Sequence, residues 1–547
     1  MGTKAYATAT NTQQTSQTQP VFGKNQVANS EGGYVFKLDD WKQMERFLIL
    51  GSEGGTYYIK EQKLTADNAA SVLRCVQTDG IRAVNAIVDV STRGRAPKND
   101  PALLALAIAA SAGDDKTRAY ALAKLPEVAR IGTHLQHFCE FINGMRGWGR
   151  GLRNGVAAWY QNKPADKLAY DVCKYRQRDG WSHRDILRLA HPEPQDSAQA
   201  SVLRWVTAHD STGDRVVSRA KDGSRTKTYA GVGATPDILV GFDKAQKSES
   251  ASETAKLISD YGLTHEMVLP DHKNSPEVWE ALLQNMPLTA MIRNLGKMSQ
   301  VELLKPLSAA SKTVVNALSN GDNLRKSRVH PLQVLLAMAT YESGHGLKGS
   351  LLWKPVPQIV DALDSAFYAS FENAPSTGKN FFIGVDVSGS MSSRFTDSPI
   401  SACQAAAAMA MLIARKEPNY YIRGFCDRLV DLGITAKDSL TAATDKAQRN
   451  NFGRTDCSQP ILDAIEQKLD VDVFVVITDN ETYAGKIHPF QALKQYRKVS
   501  GRSAKLAVIG TDANPFTIAD PSDAGMMDFV GFDASVPVVL ADFAQSV

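Results

Sequence analysis

Apolar residues recur along this chain with two different periods, and the period changes near Pro375. From Asp39 to about Phe371 they return every three to four residues, the spacing that lines one face of a helix. That pattern predicts helices over Trp41–Leu50, Asp100–Ala112, Arg118–Leu125, Gly144–Tyr160, Asp166–Arg178, Ser182–Ala190, Val278–Met286, Ala290–Leu295, His330–Tyr341 and Gln358–Phe371. So many successive amphipathic helices on short connections imply stacked helical pairs, a HEAT-like repeat array, although no clean repeat length is visible. Thr212–Gly233 interrupts the pattern with Gly, Ser, Lys and Arg and is read as a surface loop. After Pro375-Ser376-Thr377-Gly378 the pattern becomes short apolar runs alternating with helical stretches: Asn380–Asp386, Ile400–Arg415, Tyr420–Phe425, Ser458–Leu469, Asp472–Asp479, Pro489–Val499, Lys505–Gly510 and Val536–Gln545. Such alternation gives a doubly wound, mostly parallel sheet. Ahead of both regions, the stretch from Met1 to about Gly33 is rich in Thr, Gln, Ser and Asn and has little to bury. The expected organisation is a flexible tail over 1–30, a helical-repeat domain over 31–375 and a doubly wound α/β domain over 376–547.

Two of the apolar runs end in acids. Phe381-Phe382-Ile383-Gly384-Val385 runs into Asp386-x-Ser388-x-Ser390, and Val473–Thr478 runs into Asp479. In open α/β sheets ligands sit just outside the carboxyl ends of the strands. One carboxylate and two hydroxyls spaced two apart can turn three hard oxygens toward one point. Hard oxygens suit Mg²⁺ best among the candidates, with Mn²⁺ and Ca²⁺ as alternatives, rather than zinc. Thr455, in Gly453-Arg454-Thr455-Asp456, offers a further hydroxyl. A lone Asp at a strand end ordinarily caps the following helix. Two strand-end carboxylates with the serine pair favour a divalent-metal site made of Asp386, Ser388, Ser390, Thr455 and Asp479. The set resembles the metal-ion-dependent adhesion site of von Willebrand factor A domains.

Length and composition narrow the class. At 547 residues the chain is too long for a single core. No stretch approaches the ~20 apolar residues of a membrane helix, and no signal pattern opens the chain. The six cysteines (Cys75, Cys139, Cys173, Cys403, Cys426, Cys457) are scattered without Cys-x-x-Cys spacing, so reduced thiols in a cytoplasmic protein are expected. The net charge of +4 divides unevenly: residues 376–547 carry 17 Lys+Arg against 20 Asp+Glu, which leaves +7 on 1–375. A basic body points to a polyanionic partner.

The positive charge concentrates between Ile142 and Ala190, where ten Lys+Arg stand against four Asp+Glu. In the helices predicted there, Arg146, Arg150 and Arg153 share one face, and Lys167, Lys174 and Arg178 share another. Arg184 and Arg188 follow at i, i+4, on a helix that Ser182 and Asp185 can cap. Basic faces are commonly no more than solvated surface. Three in succession, interleaved with Trp148, Tyr160, Tyr175 and Trp181, favour nucleic acid, with cations on phosphates and rings on unpaired bases. Loss of Lys174 and Arg178 would then weaken binding and flatten its salt dependence. His183, in the first turn of its helix, is expected to be neutral and hydrogen bonded.

Longer motifs carry a specific resemblance. Gly51–Lys63 (GSEGGTYYIKEQK), Trp148–Leu152 (WGRGL), Tyr175–His191 (YRQRDGWSHRDILRLAH), Met286–Met298 (MPLTAMIRNLGKM), Gly344–Ser350 (GHGLKGS) and Thr478–Thr482 (TDNET) resemble the Ro autoantigen family, the TROVE-domain proteins, colinearly from about Gln17 onward. The resemblance implies a ring of HEAT-like helical repeats closed by a von Willebrand factor A domain, monomeric, with no catalytic activity. It implies small noncoding Y RNAs on the outer surface and single-stranded 3′ ends of misfolded RNAs in the central hole. It further implies cooperation with a 3′ exoribonuclease in bacterial members. By motif, His183 and the basic residues Arg146, Arg150, Arg153, Lys167, Lys174, Arg178 and Arg184 match the RNA-binding surface, and the five oxygen donors match the metal site. Arg454 departs from the pattern, standing where the family tends to have a second Gly beside the metal-site Thr.

Other chemistry finds less support. Gly344-His345-Gly346-Leu347-Lys348-Gly349 fits G-x-G-x-x-G but follows a predicted helix rather than a strand. A metal-dependent nuclease would want more carboxylates and a general base. The rival that remains is a protein-interaction scaffold whose metal binds an acidic partner side chain.

Overall fold

A computed structural model describes residues 14–51, 69–208, 235–327, 329–347, 350–371, 375–392, 400–449, 453–531 and 533–546. The chain forms two compact units. One takes the described residues of Met1–Lys63, His330–Thr340 and Asp364–Val547; the other takes those of Leu64–Val329 and Tyr341–Leu363.

The first unit is built on a six-stranded sheet in the order Met526–Val530, Lys505–Gly510, Val473–Thr478, Asn380–Asp386, Asn419–Phe425, Leu429–Val430. All neighbours are parallel except the last pair. Every residue of Val473–Thr478 is buried, which is why that strand is apolar from Val473 to Ile477 instead of alternating. Ala402–Lys416 covers the sheet with eleven buried residues and opens on a capping box between Ser401 and Gln404. Gln459–Glu466, Pro489–Ser500 and Val536–Gln545 complete the layers. Parallel register brings the carboxyl ends of Asn380–Asp386 and Val473–Thr478 side by side, Val385 opposite Ile477.

The N-terminal region departs from expectation. Of the tail predicted over 1–30, residues 1–13 lie outside the described residues; the rest is mostly exposed but is anchored by Gln17 and Asn29, which are buried. Gln26–Ala28 and Tyr34–Lys37 pair antiparallel, and Phe516–Thr517 joins them as a third strand. Val35 and Phe36 are buried, Phe36 edge-on to Phe490 at 5.2 Å. The helix Asp40–Leu50 also belongs to this unit and not to the helical region predicted over 31–375. Its Arg46, 1 % exposed, holds both carboxylate oxygens of Asp528 at 2.7 and 2.8 Å and donates to the carbonyls of Asn514 and Phe516. A polar composition misleads here because the sheet edge and the ion pair that order the segment lie more than 450 residues away.

The second unit is helical. Asp100–Ala112 has ten buried residues and is apolar on all sides because helices Ala70–Thr78, Gly80–Arg93, Asp115–Val128 and Gly132–Asn143 pack around it. Contacts run between alternate as well as successive helices: Gly80–Arg93 packs on Asp115–Val128, and Asp115–Val128 on Arg150–Gln161, as stacked helical pairs do. The loop expected over Thr212–Gly233 and most of the Gly51–Lys63 motif lie outside the described residues. No helix among the described residues is long and apolar enough to cross a membrane.

Candidate functional site

The α/β unit gathers oxygen donors where its two central strands end. Asp386 is fully buried; its Oδ1 accepts from Ser388 N at 2.9 Å and its Oδ2 from Thr478 Oγ1 at 2.6 Å. Ser388 Oγ stands 3.2 Å from Ser390 Oγ, and Ser390 is exposed at the mouth of the site and hydrogen bonds Asp479. Asp479 Oδ1 accepts from Glu481 N at 3.0 Å. The next residue, Asn480, has φ +68, a left-handed turn that asparagine tolerates. Thr455 is buried, and its carbonyl accepts from Tyr483 N and Ala484 N at 3.0 and 2.9 Å, which seats its loop on the loop after Asp479. Arg454 beside it is exposed.

Burial, then the charge of Asp479, pushes the Asp386 carboxyl up to about 7, and burial also raises Asp479. Asp512, which the sequence reading missed, lies nearby and is pushed up to about 6 by burial and the same neighbour. Among the described residues no lysine or arginine ion pair reaches Asp386 or Asp479. Two buried carboxylates beside three hydroxyl-bearing residues fit a hard divalent cation, whose charge would offset both acids. Among the described residues no group of three or more His, Cys, Asp or Glu is placed to hold a metal, so hydroxyls or water must complete any coordination here.

The basic region of the helical unit is less regular than its sequence pattern. The helix predicted over Gly144–Tyr160 begins at Arg150, because Gly147 and Gly149 oppose helix and Gly149 caps it instead. Arg146 therefore shares no helix face with Arg150 and Arg153; it turns inward and donates to the Ala110 carbonyl at 2.6 Å. Arg150 and Arg153 are exposed. The helix predicted over Asp166–Arg178 spans Ala165–Lys174, and Arg178 sits on a hairpin of Gln177–Arg178 with Trp181–Ser182. Asp179 and Gly180 form its turn, with φ of +52 and +80, values that an Asp-Gly pair is suited to take.

Lys174 is thus separated from Arg178 in geometry and in role. Its side chain is 9 % exposed, bonded to the Tyr170 hydroxyl at 3.0 Å and 3.7 Å from Glu266. Burial works against its charge, but Tyr170, Tyr175 and Glu266 prevail and hold the ammonium above the ordinary lysine range. Lys167 and Arg178 are exposed and Arg184 half-buried.

His183 opens the helix His183–Ala190, behind the capping box that Ser182 and Asp185 form. It is 2 % exposed, so its ring is an internal group and not a surface contact. Nδ1 lies 2.9 Å from the Tyr160 hydroxyl, and the ring stacks 6.0 Å from Trp159. Burial, with Lys163 nearby, pushes its pKa down to about 3, which keeps it neutral as expected. Lys163 itself sits 4.0 Å above the Trp159 ring.

What the fold does bring together is the arginine segment and the hairpin. Trp148 and Trp181 meet at 5.7 Å between ring centroids, and Trp181 Nε1 donates to Glu140 at 2.8 Å. Beside them Arg176, Arg184 and Trp205 line a small cleft. Arg176 and Trp205 were missed by the sequence reading; only their chemistry, not their spacing, gave a signal.

Comparison with known proteins covers almost the whole chain. The TROVE domain model matches residues 27–340 and the Ro60 vWA domain model residues 380–544. The RNA-binding protein RO60 of Deinococcus radiodurans is 41 % identical over 526 residues, 95 % of this chain and 96 % of that protein. The RNA-binding protein RO60 of Caenorhabditis elegans is 36 % identical, over 95 % of this chain and 90 % of its own. The crystal structure of the Deinococcus radiodurans RO (RSR) protein superposes with a TM-score of 0.69 at 40 % identity, covering 93 % of this chain and 99 % of that one.

Proposed function

The chain belongs to the Ro60 family, and from that premise we propose that it is a non-catalytic RNA-binding protein whose helical unit carries the RNA. The observation that supports this most directly is the exposed Arg150, Arg153 and Arg178 around the Trp148–Trp181 pair, cations for phosphates next to rings for bases. In finer detail, small noncoding Y-type RNAs bind this basic surface, and single-stranded 3′ ends of misfolded RNAs enter a central opening of a monomeric ring. A loose 3′ end is the feature selected, through shape more than base sequence. A 3′ exoribonuclease is the partner such a protein would serve, in the cytoplasm.

The α/β unit adds a second binding function. Asp386, Ser388, Ser390, Thr455 and Asp479 would hold a divalent ion, Mg²⁺ by preference. When bound, the ion supplies a positive site for an acidic ligand. The exposure of Ser390 beside two buried carboxylates favours this reading, in which the unit captures a protein partner while the helices hold RNA.

Two RNAs with one stem, one blunt and one with a single-stranded 3′ tail, test the main reading when titrated across a salt series. Tighter binding of the tailed RNA, weakening steeply with salt, is expected. Equal, shallow binding of both would overturn it.

A further inference from the structure

Two loops of the metal centre are tied together by a residue from the far end of the chain. Gln17 is fully buried. Its amide oxygen accepts from Thr482 Oγ1 at 2.7 Å and Gly485 N at 3.0 Å, and its amide nitrogen donates to Asp456 Oδ1 at 2.7 Å and the Ile487 carbonyl at 2.9 Å. That uses every hydrogen-bonding position of the amide. Asp456 follows Thr455, and Thr482 belongs to the loop that begins at Asp479. Asp456 is braced in turn by Ser458 and Gln459.

The same N-terminal segment touches the Asp479 loop a second time. Asn29 Nδ2 donates to the Thr482 carbonyl at 2.9 Å, and Ser30 gives its N–H and hydroxyl to Glu481 at 3.1 and 2.9 Å. Glu481 N is the group that bonds Asp479 Oδ1. Gly33 lies so close that a Cβ there would stand 1.8 Å from the Thr482 carbonyl oxygen, so the segment seats flush on the loop.

From these contacts we infer that residues 14–37 are a working part of the metal centre. Gln17 is a positioning residue that sets the Thr455 loop against the Asp479 loop, and ion binding and seating of the segment reinforce one another. This rests on the metal reading proposed above. Linkage makes the coupling reciprocal: if the seated segment raises affinity for the ion, the ion tightens the segment by the same factor. A segment that served packing alone would be indifferent to the ion.

The test uses the full chain with Mn²⁺ as the probe. Mn²⁺ affinity is measured by electron paramagnetic resonance for wild type, Gln17→Ala and Asp386→Ala. Amide hydrogen exchange over 14–37 is measured with and without Mg²⁺ for wild type and Asp386→Ala. Gln17→Ala is expected to weaken Mn²⁺ about tenfold. Mg²⁺ is expected to slow exchange across the segment in wild type and not in Asp386→Ala. Equal Mn²⁺ affinity in wild type and Gln17→Ala, with exchange unmoved by Mg²⁺, overturns the inference and leaves the metal reading standing. Wild type that fails to bind Mn²⁺, or binds it no better than Asp386→Ala, overturns both. Should Gln17→Ala fail to fold, the wild-type exchange comparison decides alone.

Discussion

Lys174 and Arg178 are four residues apart and would share a face on a continuous helix, yet they do different work. Lys174 is enclosed by Tyr170, Tyr175 and Glu266, whereas Arg178 stands exposed on its hairpin. Arg178→Ala should weaken RNA binding across sequences and lower the slope of log affinity against log salt by about one. Lys174→Ala should leave that slope unchanged and lower the melting temperature instead. Filter binding at several salt concentrations, with a thermal melt of each variant, separates the two roles; equal slopes in both variants would contradict the assignment. Two buried titratable groups give the units opposite responses to pH. His183 is held near 3, below its unfolded value, so its contribution is present above about pH 6.5 and is lost as pH falls toward 3. Asp386 is held near 7, above its unfolded value, so its contribution is full below about pH 4 and is lost as pH rises through about 7. In metal-free buffer, hydrogen exchange should therefore find the helical unit weakening toward acid and the α/β unit weakening from pH 5 to pH 8. Asp386→Asn should flatten the second trend, and a trend that persists in that variant would assign it to other groups.

At the scale of the element, the sequence was most legible where the apolar run is dense and uninterrupted. Asp100–Ala112, Asn380–Asp386, Lys505–Gly510 and Val536–Gln545 run between the residues that their periodicity indicates. Legibility failed where a distant partner overrides local chemistry. Met526–Val530 carries Asp528 in mid-strand, a poor strand residue until Arg46 arrives to pair with it. The hairpin at Arg178 had its Asp-Gly turn in plain view, but strands of two residues leave no periodicity to detect. The cluster of oxygen donors at the strand ends was visible because Asp386-x-Ser388-x-Ser390 is compact in sequence; Gln17 was invisible because nothing near it hints at a buried amide. Two substitutions probe these elements. Gly180→Ala should cost about 1 kcal/mol by forcing a Cβ into the left-handed region, measured by urea unfolding. Arg46→Ala should destabilise the α/β unit by roughly 3–5 kcal/mol, since it leaves Asp528 buried and unpaired. A loss under 1 kcal/mol for Arg46→Ala would mean that Asp528 finds water or another donor.

For the molecule as a whole, the path of the chain matters more than the boundary at Pro375. The α/β unit takes both the start of the described chain and its end, and the helical unit is carried between them. A fragment of residues 376–547, cut where composition changes, should therefore melt well below the full chain's α/β unit. Co-expression with residues 14–51 should restore part of the difference, and an equal melting temperature without that partner would show the N-terminal contacts to be dispensable. The same path imposes an order in time. Gln17 and Asp456 are 439 residues apart. At ribosomal speeds of about 5–20 residues per second, Gln17 leaves the ribosome roughly 20–90 s before its partner exists. During that wait the segment has no sheet edge to join. From Gln14 to Gly33 its large apolar residues are only Val21, Phe22 and Val27, a composition suited to waiting in water until the last third of the protein arrives to receive it.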